Sequence, residues 1–484
     1  MIKSAPVAAT PEPDTISDRH RSLAFFTLII ALVLEIVDMT IVNTALPSIQ
    51  RSFSGSAAQA QWVVAGYSLS FAVLLILGGR LGDLFGCRAM FLLGVAGFAL
   101  ASFLCGAAAN ADQLVAARVF QGASGAIMGP QVLSLIQILY APVERIGRLA
   151  WFGVIGGLSA IAGPILGGML IALDLFGLGW RAVFLINVPI GLAAIAAALW
   201  LLPQTERHRE AGLDFRGTLA FGGALAALLF PLVRGDRVGW GLDAWLCLAA
   251  SFLLAAIGWI GLKRRAATGR AVLFDPALLA NRSFRHGLEV ALGFAAANTG
   301  FLFIFALALQ QRRGLDPFEA GLVHIPFSAG VMFGISFIGR RYLVRAGRKL
   351  LLVGIALLLL CCTSLLGAIA ADPVVPIAPL VPLLVAAGVG MGMVSGPMGP
   401  VVLARVERRH AGAASGLLKT VQQTGAAIGV AMLGSAYFAP GRGSAAGIHA
   451  ALLLDAVLLL VCAGCVLRLP RELFPREGTP GPTP

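Results

Sequence analysis

The chain has 484 residues, of which 58% are hydrophobic and only 12% are charged, and its mean hydropathy is +0.88. This composition excludes an ordinary soluble domain. The formal net charge of +13 does not indicate nucleic acid, because most of the 36 Lys and Arg residues fall in alternate connections between apolar segments. That asymmetry is the positive-inside bias of helical membrane proteins, and it predicts a cytoplasmic N-terminus.

Fourteen apolar segments are long enough to cross a bilayer as helices. They are continuous rather than alternating, which excludes the strands of a membrane β-barrel. An even number of spans places both termini on the cytoplasmic side. The predicted spans are 23–46, 61–79, 90–109, 113–139, 150–173, 182–202, 217–233, 243–262, 287–309, 319–339, 350–370, 380–404, 412–437 and 447–467.

The polar connections divide the chain into two six-helix halves with a pair of helices between them. The halves show faint self-similarity, for example between 84–88 and 345–349, and two related halves around a central path are the plan of many secondary transporters. The expected units are a disordered cytoplasmic tail (1–22), an N-terminal six-helix bundle (23–202), a linker with two additional helices (203–262), a cytoplasmic loop (263–286), a C-terminal six-helix bundle (287–467) and a cytoplasmic tail (468–484).

Two carboxylates lie inside the first predicted span, where a membrane anchor needs none. Glu35 and Asp38 are three residues apart, so they lie on nearly the same face of a helix. An acid at that depth costs about 3 kcal/mol without a partner, and intramembrane acids are functional by default. The two carboxylates are expected to titrate as a coupled pair that carries protons or holds a cation. For Glu35, a bond to a neighbouring helix is the alternative.

Arg118 lies inside the fourth predicted span, within LVAARVFQGASGA at 114–126. An arginine keeps its charge, so it needs a buried anion or water. At 1.5 Å per residue, Arg118 and Asp38 lie roughly 10 and 13 Å below the outer ends of their helices, and Tyr67 lies at a similar depth. The sequence therefore predicts contact between Arg118 and Asp38, either as a purely structural ion pair or as part of a proton site.

Three further segments have distinctive spacing. GGRLGDLFGCR at 78–88 is a glycine-rich charged turn after the second span. GGLSAIAGPILGG at 156–168 spaces small residues by three and four positions, which lets another helix pack closely, and its proline allows a bend. WRAVFLINVPIG at 180–191 begins the sixth span with an interfacial Trp and Arg.

Taken in order, these segments resemble the major facilitator superfamily, and more narrowly its drug:proton antiporters with fourteen spans. DMTIVNTALP at 38–47 is similar to the first-helix signature of that branch, and LVAARVFQG is similar to the fourth-helix motif. GGRLGDLFGCR resembles the cytoplasmic loop between helices two and three, with Cys87 where a basic residue is usual. AGPILGG resembles the fifth-helix antiporter motif, although Ala150 and Ser159 stand where glycines occur upstream. The resemblance covers the chain from residue 23 to about residue 468.

The resemblance implies roles for individual residues. Asp38 would exchange a proton against substrate, and Arg118 would tune its proton affinity. A glycine-rich hinge in the fifth helix would keep the outward path sealed, and the loop after the second helix would lock and release the cytoplasmic side. The residues expected to control conformation are Gly79, Asp83, Gly86, Arg88, Gly163, Pro164 and Gly167.

Several side chains are candidates for contact with substrate. Lys419 lies roughly 10 Å into its span, where it could contact substrate or pair with an acid across the halves, with Asp455 as one possible partner. For the aromatic candidates, ordinary helix packing is the alternative. The candidate substrate contacts are Glu35, Trp62, Tyr67, Phe71, Lys419 and Gln422.

The sequence predicts an all-α proton-coupled multidrug efflux antiporter that exports lipophilic, cationic compounds by alternating access in the bacterial inner membrane. A dedicated exporter of one metabolite or antibiotic is the alternative, and an importer would use the same helices. The chain contains no GxxxxGK[ST] loop, so ATP is not expected as the energy source. No metal, cofactor or enzymatic cluster is indicated. The expected partners are small lipophilic molecules, protons and the lipid bilayer.

Overall fold

The computed structural model describes residues 17–54, 56–205, 214–238, 241–270, 272–372, 376–406, 411–439 and 444–470. Within these ranges the chain is helical and has no strand. Fourteen long helices coincide in order with the fourteen predicted spans. Their bounds are Asp18–Phe53 (α1), Ala57–Phe85 (α2), Cys87–Gly106 (α3), Ala111–Leu139 (α4), Pro142–Leu173 (α5), Asn187–Leu201 (α6), Phe215–Val238 (α7), Leu242–Ala267 (α8), Arg282–Leu307 (α9), Pro317–Phe333 (α10), Arg348–Ala371 (α11), Val381–Leu403 (α12), Ala411–Phe438 (α13) and Ser444–Arg468 (α14).

Among the described residues, 13 helices are long and apolar enough to cross a membrane. The remaining long helix is α13, whose 28 residues are enough to span a bilayer. This helix carries Lys419, Gln422 and Gln423. The predicted all-α membrane fold is confirmed, and α13 bears two of the candidate substrate contacts, Lys419 and Gln422.

The helices extend beyond the predicted spans. α1 begins at Asp18 rather than at residue 23, because the side chain of Ser17 caps the helix by accepting a hydrogen bond from the backbone N–H of His20. The predicted disordered tail 1–22 is therefore too long, and residues 1–16 lie outside the described ranges. The 263–286 loop is likewise shorter than expected, because α8 continues to Ala267 and α9 begins at Arg282. Hydropathy marks the apolar length of a helix and not its polar ends.

The two halves repeat one packing scheme. In the N-terminal half α1 packs on α5 and α6, α2 packs on α4, and α3 packs on α4 and α6. The equivalent helices of the C-terminal half pair in the same way, with α9 on α13 and α14, α10 on α12, and α11 on α12 and α14. The halves meet along two equivalent seams, α2–α13 and α5–α10. The predicted plan of two related six-helix halves is confirmed.

The additional helices α7 and α8 pack against each other, and α7 also packs on α2 and α13. Leu229 and Val233 of α7 form an apolar cluster with Ala427 and Ala431 of α13, and Trp62 of α2 packs against that cluster. α8 presents many of its large apolar side chains outward. α7 therefore covers the α2–α13 seam, and Trp62, a candidate substrate contact, contributes to this packing.

Asp214 holds the two polar connections that flank the additional helices. Its buried carboxylate accepts hydrogen bonds from the backbone N–H of Gly217 at 2.9 Å and of Leu273 at 3.2 Å. Arg265 Nε lies 3.4 Å from the same carboxylate. The start of α7 and the segment after α8 are thus joined through one side chain.

Replacing Asp214 by Ala is expected to destabilise the protein by about 2 kcal/mol, because buried donors to a charged acceptor lose their partner. Thermal unfolding of the purified chain in detergent measures this effect. Asp243→Ala is the matched control, since Asp243 is exposed near the opposite end of α8. Equal unfolding temperatures for the two variants would contradict the assigned role.

Candidate functional site

Asp38 and Arg118 form an ion pair inside the N-terminal half. The Nη1 atom of Arg118 lies 2.5 Å from Oδ2 of Asp38, and the side chains are 1% and 0% exposed, respectively. The matching depths predicted from the sequence therefore correspond to direct contact. Burying two charges is favourable only when further hydrogen bonds satisfy their remaining donors and acceptors.

Two amide side chains supply bonds to Asp38. Gln121 Nε2 donates to Asp38 Oδ1 at 2.7 Å, and Asn187 Nδ2 donates to the same oxygen at 3.0 Å. Gln121 Nε2 also donates to Ser102 Oγ at 2.8 Å. The acid on α1 is thereby tied to α3, α4 and α6. Neither Gln121 nor Asn187 was identified from the sequence, although Gln121 lies only one helical turn from Arg118.

Arg118 is held by partners on two helices besides the acid. Its Nε donates to the carbonyl of Val63 on α2 at 3.0 Å, and its Nη1 donates to Gln121 Oε1 at 2.7 Å. The guanidinium carbon lies 4.4 Å from the centroid of the Tyr67 ring, a cation–π contact. The charged centre therefore joins five helices of the N-terminal half: α1, α2, α3, α4 and α6.

A second ion pair crosses between the halves. Lys419 Nζ on α13 lies 2.8 Å from Glu35 Oε1 on α1, and it lies 5.1 Å from the centroid of the Phe71 ring. The Lys419 side chain is 39% exposed, whereas that of Glu35 is 3% exposed. The partner of Lys419 is thus Glu35 and not Asp455, which is buried on α14. Glu35 thus pairs with Lys419, and Asp38 pairs with Arg118, so each carboxylate has a separate cationic partner.

Gly129 of α4 leaves room for this second ion pair. A Cβ atom at this position would lie 2.9 Å from Glu35 Oε2 and 3.6 Å from Lys419 Nζ. Any larger residue would push against the carboxylate. The glycine lies in the segment GASGAIMGPQ at 122–131.

Tyr67 and Phe71 stack between the two ion pairs, with ring centroids 6.0 Å apart and an interplanar angle of 26°. Both rings are fully buried. Both rings therefore contribute to helix packing, and their contact with substrate stays a prediction. Gln422 is partly exposed on α13, three residues after Lys419 and on nearly the same face.

The predicted hinge on α5 lies where α5 contacts α1. A Cβ at Gly163 would overlap Oγ1 of Thr40, and one at Gly167 would lie 2.8 Å from Ile41 Cγ1. The carbonyl of Pro164 accepts a hydrogen bond from Thr44 Oγ1 at 3.3 Å.

The same segment of α5 also contacts the other half. A Cβ at Gly321 of α10 would lie 2.8 Å from the Pro164 carbonyl oxygen, and one at Gly168 would overlap the carbonyl of Pro317. Small residues on both helices thus permit close packing at the α5–α10 seam.

Gly163→Val is expected to destabilise the protein by about 1–3 kcal/mol, because overpacking forces the tightly packed helices apart. The midpoint of thermal unfolding in detergent measures the loss. Gly157→Val on the same helix is the matched control, since a Cβ there has no atom within 4 Å. If the control lost as much stability, the close contact with α1 would not be the cause.

Hydrogen bonds join the halves near the C-terminal end of α1. Gln310 Nε2, just after α9, donates to the carbonyl of Thr44 at 2.9 Å. Its neighbour Gln311 donates through Nε2 to Gln50 Oε1 at 3.0 Å. Together with the α5–α10 contact, these bonds hold the halves together at this end of the bundle.

Arg88 of the predicted loop lock bonds to α6 and to the residues that follow it. Arg88 Nη2 donates to the carbonyl of Leu199 at 2.5 Å, and its backbone N–H donates to Thr205 Oγ1 at 3.3 Å. These bonds tie the start of α3 to the end of α6. Gly86 adopts φ 93°, a backbone conformation that favours glycine.

Asp83 lies on the exposed surface of the same turn. Its Oδ2 atom is 4.0 Å from Arg80 Nη1, one helical turn away. Such an exposed pair contributes little to stability. A Cβ at Gly79 would lie 3.8 Å from Pro130, an ordinary packing distance.

The chain is similar to known transporters over most of its length. The probable actinorhodin transporter of Streptomyces coelicolor is 39% identical over 442 residues, which are 89% of this chain and 74% of that protein. Puromycin resistance protein pur8 of Streptomyces alboniger is 34% identical over 438 residues, covering 89% and 84% of the two chains. Multidrug resistance protein Stp of Mycobacterium tuberculosis is 30% identical over 419 residues, covering 86% and 76%.

Solved structures share the fold. An inward-facing, occupied bacterial homologue of the human lysosomal transporter Spinster superposes with a TM-score of 0.67 at 18% identity, over 94% of this chain and 98% of that chain. An auto-inhibited peptide transporter of the POT family gives a TM-score of 0.66 at 14% identity, over 96% and 99%. The Major Facilitator Superfamily matches residues 28–430. The chain therefore belongs to the major facilitator superfamily, a family of transporters rather than enzymes, and is related within it to antibiotic and multidrug exporters.

Proposed function

We propose that the protein exports lipophilic small molecules in exchange for protons, with Asp38 as the proton site. The observation that carries the proposal is the isolation of Asp38: a carboxylate that is 0% exposed, paired with one arginine and held by two amides. A proton on Asp38 removes its negative charge and hence its attraction to Arg118. Since the pair joins five helices, its loss changes how the N-terminal half packs.

The change reaches the seam between the halves through α1. Thr40, Ile41 and Thr44 follow Asp38 on that helix and contact the α5 segment that meets α10. A proton that favours one packing of α1 on α5 therefore favours one arrangement of the halves. Cargo that favours the other arrangement is coupled to the proton by the difference in their affinities for the two states.

The direction of transport follows from the charge distribution. The excess of Lys and Arg in alternate connections supports a cytoplasmic position for both termini. With that orientation, the closed contacts near the end of α1 face outward. Cargo then enters from the cytoplasmic side of a bacterial inner membrane and leaves when the contacts around Thr44 and Gln310 separate. Gly163, Pro164 and Gly167 would act as the hinge, and Arg88 would keep α3 and α6 together at the cytoplasmic end.

A dedicated exporter of one compound is the second candidate. It is favoured by the relatives with the higher identities, which carry the names of single antibiotics, actinorhodin at 39% and puromycin at 34%, against 30% for a multidrug resistance protein. One reason to expect cationic cargo was that the Glu35 carboxylate could pair with it. The ion pair with Lys419 removes that support.

Transport by the full chain in proteoliposomes tests the proposal. A panel of lipophilic dyes with acidic, neutral and cationic groups is placed on the cytoplasmic side, and export is followed with and without an imposed proton gradient. Export is expected to follow the gradient and to stop with an uncoupler, and a gradient-independent export would overturn proton coupling. Export of several unrelated dyes would favour a multidrug transporter, and export of one scaffold would favour a dedicated one.

A further inference from the structure

The ion pair between Glu35 and Lys419 differs from the pair between Asp38 and Arg118 in what it joins. Asp38 and Arg118 both belong to the N-terminal half, so their contact can persist when the halves move as units. Glu35 lies on α1 and Lys419 on α13, so their contact bridges the halves. Alternating access requires the halves to separate around the cargo, and this pair must then open.

The two members of the pair are not equally accessible. Lys419 is 39% exposed and Glu35 only 3%. Lys419 Nζ contacts Glu35 of α1 and lies over Phe71 of α2, so it lies where α13 meets the N-terminal half. Of the two charged groups, the ammonium is thus the one that an entering molecule can reach, whereas the carboxylate is buried and lies close to Gly129.

The charge balance of the site and the accessibility of its two groups together limit which cargo it can accept. A cationic cargo that binds Glu35 must displace Lys419 and leave the ammonium without a counter-ion, which is costly in a membrane interior. An anion that binds Lys419 leaves Glu35 as the unpaired charge. A weak acid avoids both costs, because its proton neutralises Glu35 while its anion pairs with Lys419. The mirror exchange, in which a neutral amine takes the Lys419 proton and pairs with Glu35, would need access to a carboxylate that is only 3% exposed.

We propose that the cargo is a weak acid, such as an aromatic carboxylic acid or an acidic phenol, which binds as the anion to Lys419 while Glu35 takes up one proton. The inference rests on the proposed export function and names the substrate class of its path. In the exchange, the O–H bond of the acid breaks and an O–H bond forms on the Glu35 carboxylate. One ion pair is replaced by another, and the net charge of the site is unchanged.

Release reverses the exchange on the other side. Glu35 gives up its proton, re-forms its pair with Lys419, and the cargo leaves with one proton. Asp38 has a separate counter-charge in Arg118, so the proton that drives export and the proton that accompanies the cargo occupy different carboxylates. Glu35 is accordingly a positioning residue for the cargo charge, and Lys419 is the binding residue.

Calorimetric titration of the purified full chain in detergent tests the inference with three probes that share one ring system. The probes are anthraquinone-2-carboxylate, the corresponding primary amide, and a trimethylammonium-methyl analogue. The acid is expected to bind at least tenfold more tightly than the amide and the cation. A cation that binds as tightly as the acid, or an acid that does not bind, would overturn the inference.

The number of protons taken up on binding separates the proposed exchange from a purely structural ion pair, which would take up none. Titrations in buffers of different ionisation enthalpy are expected to show about one proton taken up per bound acid near neutral pH, where the free probe is an anion. Glu35→Gln should still bind the acid but without proton uptake. Unchanged uptake in that variant would contradict the exchange.

Substitution of Lys419 isolates the anion contact. Lys419→Gln is expected to reduce the preference for acid over amide to less than threefold, whereas Lys349→Gln, an exposed lysine at the start of α11, should keep it. The double variant Glu35→Gln with Lys419→Gln leaves no unpaired charge and serves if the single variant does not fold. Retained acid preference in the double variant would be decisive against the site. Because these titrations need no gradient, they can fail while Asp38-dependent export is intact, and the reverse also holds.

Discussion

Asp38→Asn is expected to reduce proton-driven export in proteoliposomes to the level of protein-free liposomes. Asparagine at this position cannot take up and release a proton, and it no longer neutralises Arg118. Energy-independent exchange of cargo across the membrane should continue, because the Glu35–Lys419 contact does not include Asp38 or Arg118. The measurement compares gradient-driven export with cargo exchange at equal concentrations on both sides.

The control for this prediction is Asp112→Asn. Asp112 lies exposed at the start of α4 and accepts one hydrogen bond from Gln59 Nε2 at 2.8 Å. It should transport like the unmodified protein. Gradient-driven export and proton movement that survive in Asp38→Asn would show that another group carries the coupling proton.

Arg118→Gln is expected to cost about 3–5 kcal/mol of folding stability, because it leaves the Asp38 carboxylate buried without its counter-charge. Combining it with Asp38→Asn should recover a large part of that loss, since the site then holds two neutral amides in place of two charges. Transport should not recover with the fold. The difference between the double variant and the sum of the single variants gives the coupling energy of the pair.

Thermal unfolding of purified variants in detergent provides the measurement. Arg80→Gln is the control, because Arg80 is exposed and its pair with Asp83 is 4.0 Å long, a kind of contact that contributes about 0–1 kcal/mol. An Arg118→Gln variant that unfolds at the same temperature as this control would exclude a tight structural pair.

The ion pair at the centre of the N-terminal half could be predicted from the sequence because depth along a helix is a simple function of position. Asp38 and Arg118 lie on different spans, yet counting residues from the span ends brings them together. Gln121 and Asn187 could not be found in this way. The type of residue gives no signal, because amides occur in polar and apolar surroundings alike. Their role here depends on α4 and α6 both meeting α1 at Oδ1 of Asp38.

Glu35 shows the limit of helical spacing. Residues three apart differ by about 60° around the helix, which suggested one shared environment for Glu35 and Asp38. In the structure that angle separates α4 and α6, which hold Asp38, from α13, which holds Lys419. The partner of Lys419 depends on how two distant halves meet, and no local pattern encodes that contact.

The sequence predicted the number and order of the long helices correctly, but it predicted where several of them begin and end less well. Apolar length sets the part of a helix that the hydrocarbon of the bilayer requires. Polar caps such as Ser17 and basic ends such as Lys263 to Ala267 extend the helix beyond it. The polar connections were therefore overestimated at the start of α1 and at the end of α8, where polar and basic residues continue the helix beyond its apolar part.

The position of α7 gives the molecule two unlike flanks. The internal repeat makes the α2–α13 and α5–α10 seams equivalent, but α7 lies over the first of them. A compound dissolved in the lipid meets an additional layer of helix on one flank. On the other it meets the glycine-rich contact itself, over which no helix lies in the part of the chain that the structure describes. Lateral passage between the bilayer and the space between the halves would thus be confined to the α5–α10 seam. At the outward end of that seam, passage would require the close contacts at Gly168 and Gly321 to separate.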